Sequence, residues 1–221
     1  MHDTLDNLIR IEKEIQLKVK QSNLIIKEPK IIAVSKNFMM PNILPLITHG
    51  HIDFGENRVQ EAISKWSDLK DKTNEVKLHM IGKLQTNKVK YVIPLFDYIH
   101  TLDNLRLAEK ISEEQLKINK NLKIFIQVNI GRENQKSGIL IEELDTFYDH
   151  CTNNLSLNII GLMCLPPNDN NPTKYFSKLF DLTKKLKIKE LSMGMSNDYL
   201  DAVETNSTYL RIGSKIFGNR G

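Results

Sequence analysis

Lys30-Ile31-Ile32-Ala33-Val34-Ser35-Lys36 is the run from which the rest of the 221-residue chain is read. Four apolar residues in a row, two of them β-branched isoleucines and one a valine, predict a short strand buried on both faces. The run stops at Lys36, and Pro41 opens a new periodic segment. A lysine at the carboxyl end of a buried strand is an unusual place for a charge. Desolvation there disfavours the ammonium form and favours a nucleophilic amine able to form a Schiff base. The ordinary alternative is a strand-end lysine that snorkels to solvent, and this stretch alone does not exclude it.

Strand and helix patterns alternate outward from this run. Before it, Leu8, Ile11, Ile15 and Val19 recur at helical spacing, with Asp3 or Thr4 as N-cap. Such a helix is expected to cover the closed end of a barrel, or else to dock a partner; Leu24-Ile25-Ile26 is ambiguous between helix end and loop. After it, Pro41 starts a helix that Gly50 closes. Strands are expected at 51–54, 76–81, 98–100, 124–130, 157–163, 190–193 and 208–212. Helices are expected between them: Val59 to Trp66, Gln85 to Leu95, a long one capped by Asp103 with Leu105, Leu107, Ala108 and Ile111 on one side, Leu140 to His150, Tyr175 to Leu186, and Asn197 to Glu204. About eight βα units with short connections and no linker argue for an α/β fold, a single (β/α)8 TIM barrel with an extra N-terminal helix, over residues 1–221 as one domain.

Composition bounds the partners. Hydrophobic content of 40% and charged content of 26% are those of an ordinary soluble globular protein. The net charge of +4 suits a small anionic ligand, and the lysines are too dispersed for a nucleic-acid stripe. Cys151 and Cys164 are too far apart for a Cys-x-x-Cys pair, no His/Cys cluster has metal spacing, and nothing approaches a secretion signal or membrane span. A metal-free protein of the reducing cytoplasm is expected.

In a (β/α)8 barrel the chemistry sits at the carboxyl ends of the strands. Those positions collect Lys36, Asn57, His79, Gln127 with Asn129, Met163, Ser192 through Ser196, and Arg211 with Gly213-Ser214. The set is rich in nitrogen and poor in carboxylates. It lacks the paired acids of a glycosidase, the acid cluster of a magnesium site and a nucleophile elbow. The last two strand ends read as a phosphate cup. Ser196 is placed to N-cap a short helix, Gly213 lets a backbone approach an anion, and Ser214 adds a hydroxyl. Taken singly, each piece reads first as a capped helix or a glycine turn. Opposite a strand-one lysine, they suggest a ligand with an aldehyde and a phosphate, pyridoxal 5′-phosphate (PLP).

Six blocks then resemble one family. They are Ala33-Val34-Ser35-Lys36; Phe54-Gly55-Glu56-Asn57 with Val59-Gln60-Glu61; the run from His79-Met80-Ile81-Gly82 to Lys88; Gln127-Val128-Asn129 with Lys136-Ser137-Gly138; Leu191-Ser192-Met193-Gly194-Met195-Ser196; and Arg211-Ile212-Gly213 with Ile216-Phe217-Gly218. In this order they resemble the pyridoxal phosphate homeostasis proteins (the YggS/PROSC family). The resemblance implies a barrel of the alanine racemase N-terminal type, with PLP held on Lys36 as an internal aldimine. It further implies that Ser196, Gly213 and Ser214 hold the phosphate, that Asn57 lines the site, and that Arg211 lies near the pyridine nitrogen or the phosphate. An arginine at the ring nitrogen does not readily give up its proton, which argues against carbanion chemistry. Departures are Leu78, where the family usually has tryptophan, and Lys215, where alanine or threonine is usual and a solvent-facing side chain is expected.

The leading function implied is intracellular buffering and delivery of PLP, with apo PLP-dependent enzymes as partners, a monomeric state and no turnover. One alternative is an amino-acid racemase. That reaction needs a base on each face of the substrate, commonly the lysine and a tyrosine from a second domain, and the chain has little length beyond the barrel for one. Tyr199 and Tyr209 read instead as helix-surface and strand residues. The other alternative is a cofactor-free Schiff-base aldolase. A second aldehyde site at Lys83, Lys136 or Lys215 is left open.

Overall fold

The computed structural model describes residues 3–22, 28–72, 75–133 and 135–218; Leu24-Ile25-Ile26 lies outside them. Among the described residues the strands are β1 (Lys30–Val34), β2 (Asp53–Glu56), β3 (Lys77–Met80), β4 (Tyr98–Leu102), β5 (Lys123–Val128), β6 (Ile159–Cys164), β7 (Glu190–Met195) and β8 (Tyr209–Ile212). They pair in sequence order, all parallel, and close into a barrel when Ala33 of β1 pairs with Ile212 of β8. The expected (β/α)8 barrel is therefore present. Strand limits lie within two residues of those expected; β4 and β7 each run two residues further, because His100-Thr101-Leu102 and Met193-Gly194-Met195 stay buried or paired.

The helices are α1 (Asp3–Gln21), α2 (Met40–Thr48), α3 (Val59–Lys70), α4 (Val89–Leu95), α5 (Leu105–Lys117), α6 (Leu144–Asp149), α7 (Pro172–Leu186), α8 (Tyr199–Glu204) and the single turn α9 (Ser214–Phe217). Pro41 stands in the first turn of α2, and Gly50 follows its end at φ +94°, a backbone state that suits glycine. Several local expectations fail for identifiable reasons. Asn104, not Asp103, caps α5: its side chain accepts from Leu107 N at 2.9 Å, while Leu105 faces outward. Asp3 and Thr4 lie within α1, where Thr4 Oγ1 donates to Asn42 O. The expected Gln85–Leu95 helix divides into a tight turn at Thr86–Lys88 followed by α4. The 140–150 segment likewise begins as a tight turn and ends in a wide one at His150–Asn154.

The role of α1 also differs from expectation. It does not cover the closed end. Its buried residues Leu8, Ile11 and Ile15 pack toward α2, α8 and α9. Asn7 Nδ2 donates to Ile216 O at 3.0 Å near the strand carboxyl ends, while Glu12 and Gln16 reach residues 28–31 and 49–53 at the opposite end. Since α9 is one turn long, α1 stands in the outer ring where an eighth helix belongs.

Two apolar layers result. The larger lies between sheet and helices and includes Trp66, fully buried with its ring 5.0 Å from Phe54. An aromatic of that size removes roughly 150–250 Å² from water, worth on the order of 4–6 kcal/mol. The smaller layer fills the barrel itself: Ile32, Tyr98, Phe125, Met163 and Tyr209. The buried polar side chains of His79, His100 and Ser192 share that interior.

Candidate functional site

Inward positions alternate along a strand, so Ile32, Val34 and Lys36 face the barrel axis, as do Tyr209, Arg211 and Gly213. Where β1 and β8 close the barrel, these two series meet at the carboxyl ends of the strands and open into a cavity of about 810 Å³. Lys36, Asn57, Ser196, Arg211, Gly213 and Ser214 all line it. Val34, Phe38 and Ile81 supply an apolar wall, and Pro166, Pro167 and Met195 the opposite rim. The other strand-end candidates lie elsewhere. His79 and Met163 point into the closed interior. Gln127 and Asn129 are spent on their own loop, donating to Ser137 O and Glu133 O at 3.0 Å each.

Lys36 is half-buried, and both of its neighbours are clamped. Lys65 Nζ donates to Ser35 O at 2.8 Å, to Glu56 Oε1 at 2.9 Å and to Glu61 Oε1 at 2.8 Å. Ser35 Oγ and Trp66 Nε1 also donate to Glu56 Oε1, at 2.7 and 2.9 Å. On the far side, Asn37 takes φ +66° while its N–H donates to Glu61 Oε1 at 2.6 Å. The backbone on each side of Lys36 is thus fixed by α3. Sequence reading missed this support. The Glu61/Lys65 spacing of four residues was visible, but only the fold aims that helix face at β1.

The rim at 196–214 differs from the expected capped helix. α8 begins at Tyr199 with Asp198 at the N-cap position, and Asp198 Oδ1 accepts from Met195 N at 2.6 Å. Ser196 is therefore not a cap. Its Oγ accepts from the N–H groups of Gly213 and Lys215 at 3.3 and 3.4 Å, bridging β7 to the turn α9. Gly213 has an ordinary φ of −114°, and a Cβ there would meet Val34 Cβ at 3.4 Å. Neither strain nor packing requires glycine, so its bare backbone is left facing the cavity. Lys215 lies with Nζ over the Tyr199 ring at 4.7 Å; its backbone, not its charge, reaches the rim. Tyr199 itself is 2% exposed and its hydroxyl donates to Glu14, correcting the expectation of a helix-surface residue. Lys136 is turned to Pro166 O at 3.0 Å and to Glu133.

Arg211 lies two residues below this rim. Nη1 donates to Ser192 Oγ at 2.6 Å and Nη2 to Cys164 O at 2.8 Å, with burial working against its charge. Asn57 Oδ1, on the β2 side, is buried with no hydrogen-bond donor among the described residues. No group of His, Cys, Asp and Glu among the described residues could hold a metal ion. Cys151 and Cys164 are free and buried, and burial pushes both thiols up to about 12.

His79 and His100 are fully buried, and burial pushes both imidazoles below their ordinary value; Asp53 only partly offsets this for His79. Below about pH 6.5 the unfolded chain takes up protons at these positions before the folded chain does, so stability falls on acidification. The loss reaches up to about 1.4 kcal/mol per pH unit for each histidine, until the folded groups titrate in turn. Melting temperature measured from about pH 7 down to about pH 5 should fall steadily. A flat profile would mean that the native interior already carries those protons.

Fold and cavity together define a (β/α)8 barrel protein with a lysine amine and a rim of backbone N–H and hydroxyl groups at its mouth. Residues 13–221 match the family model described as alanine racemase, N-terminal domain. A pyridoxal phosphate homeostasis protein of Haemophilus influenzae is 37% identical over 97% of this chain and 94% of that protein. The structure of PipY of Synechococcus elongatus with PLP bound superposes with a TM-score of 0.78 at 31% identity, over 92% of this chain and 98% of that one. An alanine racemase of Clostridium difficile shares the fold, with a TM-score of 0.70 at 13% identity, and 95% of this chain covers 57% of it. The chain belongs to the alanine racemase N-terminal domain family and, within it, to the pyridoxal phosphate homeostasis proteins.

Proposed function

We propose that the protein binds PLP in the cavity at the strand carboxyl ends and takes part in its homeostasis, buffering and delivering the cofactor without turnover of its own. The observation that carries this reading is the meeting of Lys36 with Ser196, Gly213 and Ser214 across one cavity. A Schiff base forms between an aldehyde and a primary amine, and Lys36 supplies that amine on a backbone held from both sides. The long bonds at Ser196 Oγ leave the Gly213 and Lys215 N–H groups available to phosphate oxygens, and Ser214 adds its hydroxyl. The unpartnered Asn57 Oδ1 fits a polar group of the cofactor. Arg211, tied to the barrel wall at both Nη atoms beneath the rim, is assigned to the ring end of the cofactor rather than to the phosphate.

The homeostasis naming and PLP-bound structure among the relatives support this reading over a racemase. So does the lining: among the described residues no tyrosine lines the cavity to act as a second base. The same reading places the protein in the cytoplasm as a single-domain monomer over 1–221, with apo PLP-dependent enzymes as recipients. No helix among the described residues is long and apolar enough to cross a membrane.

The visible absorption spectrum of the purified protein, followed by borohydride reduction and peptide mass mapping, tests the proposal. A yellow protein whose reduced adduct maps to Lys36 is expected. A protein that stays colourless with added PLP would overturn the reading and favour the aldolase.

A further inference from the structure

A line of hydrogen bonds crosses the barrel from its closed end to the cavity floor. Asp53 Oδ1 lies 2.9 Å from His79 Nε2, and His79 Nδ1 lies 2.9 Å from His100 Nε2. His100 Nδ1 is 2.8 Å from Ser192 Oγ, which is 2.6 Å from Arg211 Nη1. The five residues come from β2, β3, β4, β7 and β8, and His79, His100 and Ser192 have no exposed surface. Aromatic neighbours fix both imidazole planes: His79 stacks on Tyr98 at 4.1 Å and 11°, His100 on Phe125 at 4.3 Å and 18°.

The two ends of this line set its direction. Arg211 can only donate, so Ser192 Oγ accepts from it. Ionised Asp53 can only accept; burial raises its pKa, but the His79 bond and the nearby Lys30 charge outweigh that and hold it below its ordinary value. Neutral His79 therefore donates from Nε2 to Asp53 and accepts at Nδ1. That requires His100 to donate from Nε2 and to accept at Nδ1, where the Ser192 hydroxyl supplies the proton. Each of the three inner members, His79, His100 and Ser192, has one donor and one acceptor in use, and the line carries one positive charge at the cavity and one negative charge at the far end.

We propose that Asp53, His79, His100 and Ser192 are positioning residues for Arg211. They form a hydrogen-bond relay of fixed polarity that brings the Asp53 charge to bear on the guanidinium and holds it, charged and aimed, in the cavity floor. The ligand atom above Arg211 must then be an acceptor. This deepens the reading of the cavity as the PLP site and rests on it. In the competing arrangement His79 is an imidazolium and the direction reverses, so that His100 Nδ1 donates to Ser192 and the interior carries an unbalanced charge.

Nitrogen-15 histidine NMR of the ligand-free protein at neutral pH separates the two without any cofactor. The relay requires His79 and His100 both neutral with the proton on Nε2; a doubly protonated His79, or a proton on His100 Nδ1, overturns it. Asp53→Asn offers a donor as readily as an acceptor, so the polarity is released and His100 should populate both tautomers. PLP affinity, read by absorbance titration, should fall about 10- to 100-fold in Asp53→Asn and in His100→Phe, the range for bonds to a charged group. His100→Gln, which keeps a donor toward His79 and an acceptor toward Ser192, should retain most of the affinity. Wild-type affinity and tautomers in Asp53→Asn would overturn the relay. Wild-type protein that binds no PLP would instead overturn the cavity reading, whatever the tautomers.

Discussion

Lys36→Ala protein is expected to be colourless, to give no borohydride-stable adduct, and to melt within a few degrees of the wild type. On the proposed reading covalent retention depends on one amine, and among the described residues no other lysine lines the cavity. The substitution removes a half-buried side chain at the mouth of the barrel, outside both apolar layers, so little packing is lost. The Ser35 and Asn37 clamps act through backbone atoms at 35 and 37 and through the Ser35 hydroxyl, and all survive the change. Absorbance, adduct mapping and thermal unfolding of the same preparation check the three statements. An adduct mapped to another lysine in this variant would move the site; unfolding at ordinary temperature would show that Lys36 is structural.

The largest effect on stability is expected behind that lysine. Lys65 and Glu56 form an ion pair with side chains 7% and 0% exposed. Replacing Lys65 with methionine leaves the Glu56 carboxylate buried without its counter-charge, an imbalance that costs roughly 3–5 kcal/mol. At about 2–4 °C per kcal/mol for a chain of this size, the melting temperature should drop by about 6–20 °C. Adding Glu56→Gln to Lys65→Met removes the stranded charge and should recover part of the loss, because the amide can still accept from Ser35 and Trp66. The exposed Lys117 with Glu113 and Glu114 on α5 provides the contrast: solvent screens that pair, and Lys117→Met should leave the melting temperature close to that of the wild type. Equal effects at Lys65 and Lys117 would show that the α3 clamp is solvated in solution.

The alternation of apolar runs with amphipathic helices made the barrel legible, and the strand-end rule pointed to Lys36, Arg211 and the 196–214 rim. Choices between adjacent polar residues were not legible. Asp103-Asn104 and Ser196-Asn197-Asp198 each offer several capping side chains; Asn104 caps α5, whereas Asp198 stands at the N-cap position of α8 with its carboxylate accepting from Met195 N instead of from the helix. His79 and Ser192 were collected by the strand-end rule, but their connection through the interior was hidden for a different reason. Asp53, His79, His100 and Ser192 sit singly among apolar residues in four strands, and only barrel closure brings them within hydrogen-bond distance. The support from Lys65 likewise depends on which face α3 turns to β1.

The position of α1 in the helix ring bears on how the chain folds. Its contacts join residue 7 to residue 216, a separation of 209 positions. The stripe of Leu8, Ile11 and Ile15 can rest on α2 early, but the part of its surface supplied by α8 and α9 is complete only once residues 199–217 are made and β8 has joined β1. The part of the stripe that packs on α8 and α9 is closed only by these long-range contacts, and late closure of this kind is slow and prone to aggregation. A helix near the start of this sequence thus completes its packing only against elements near its end.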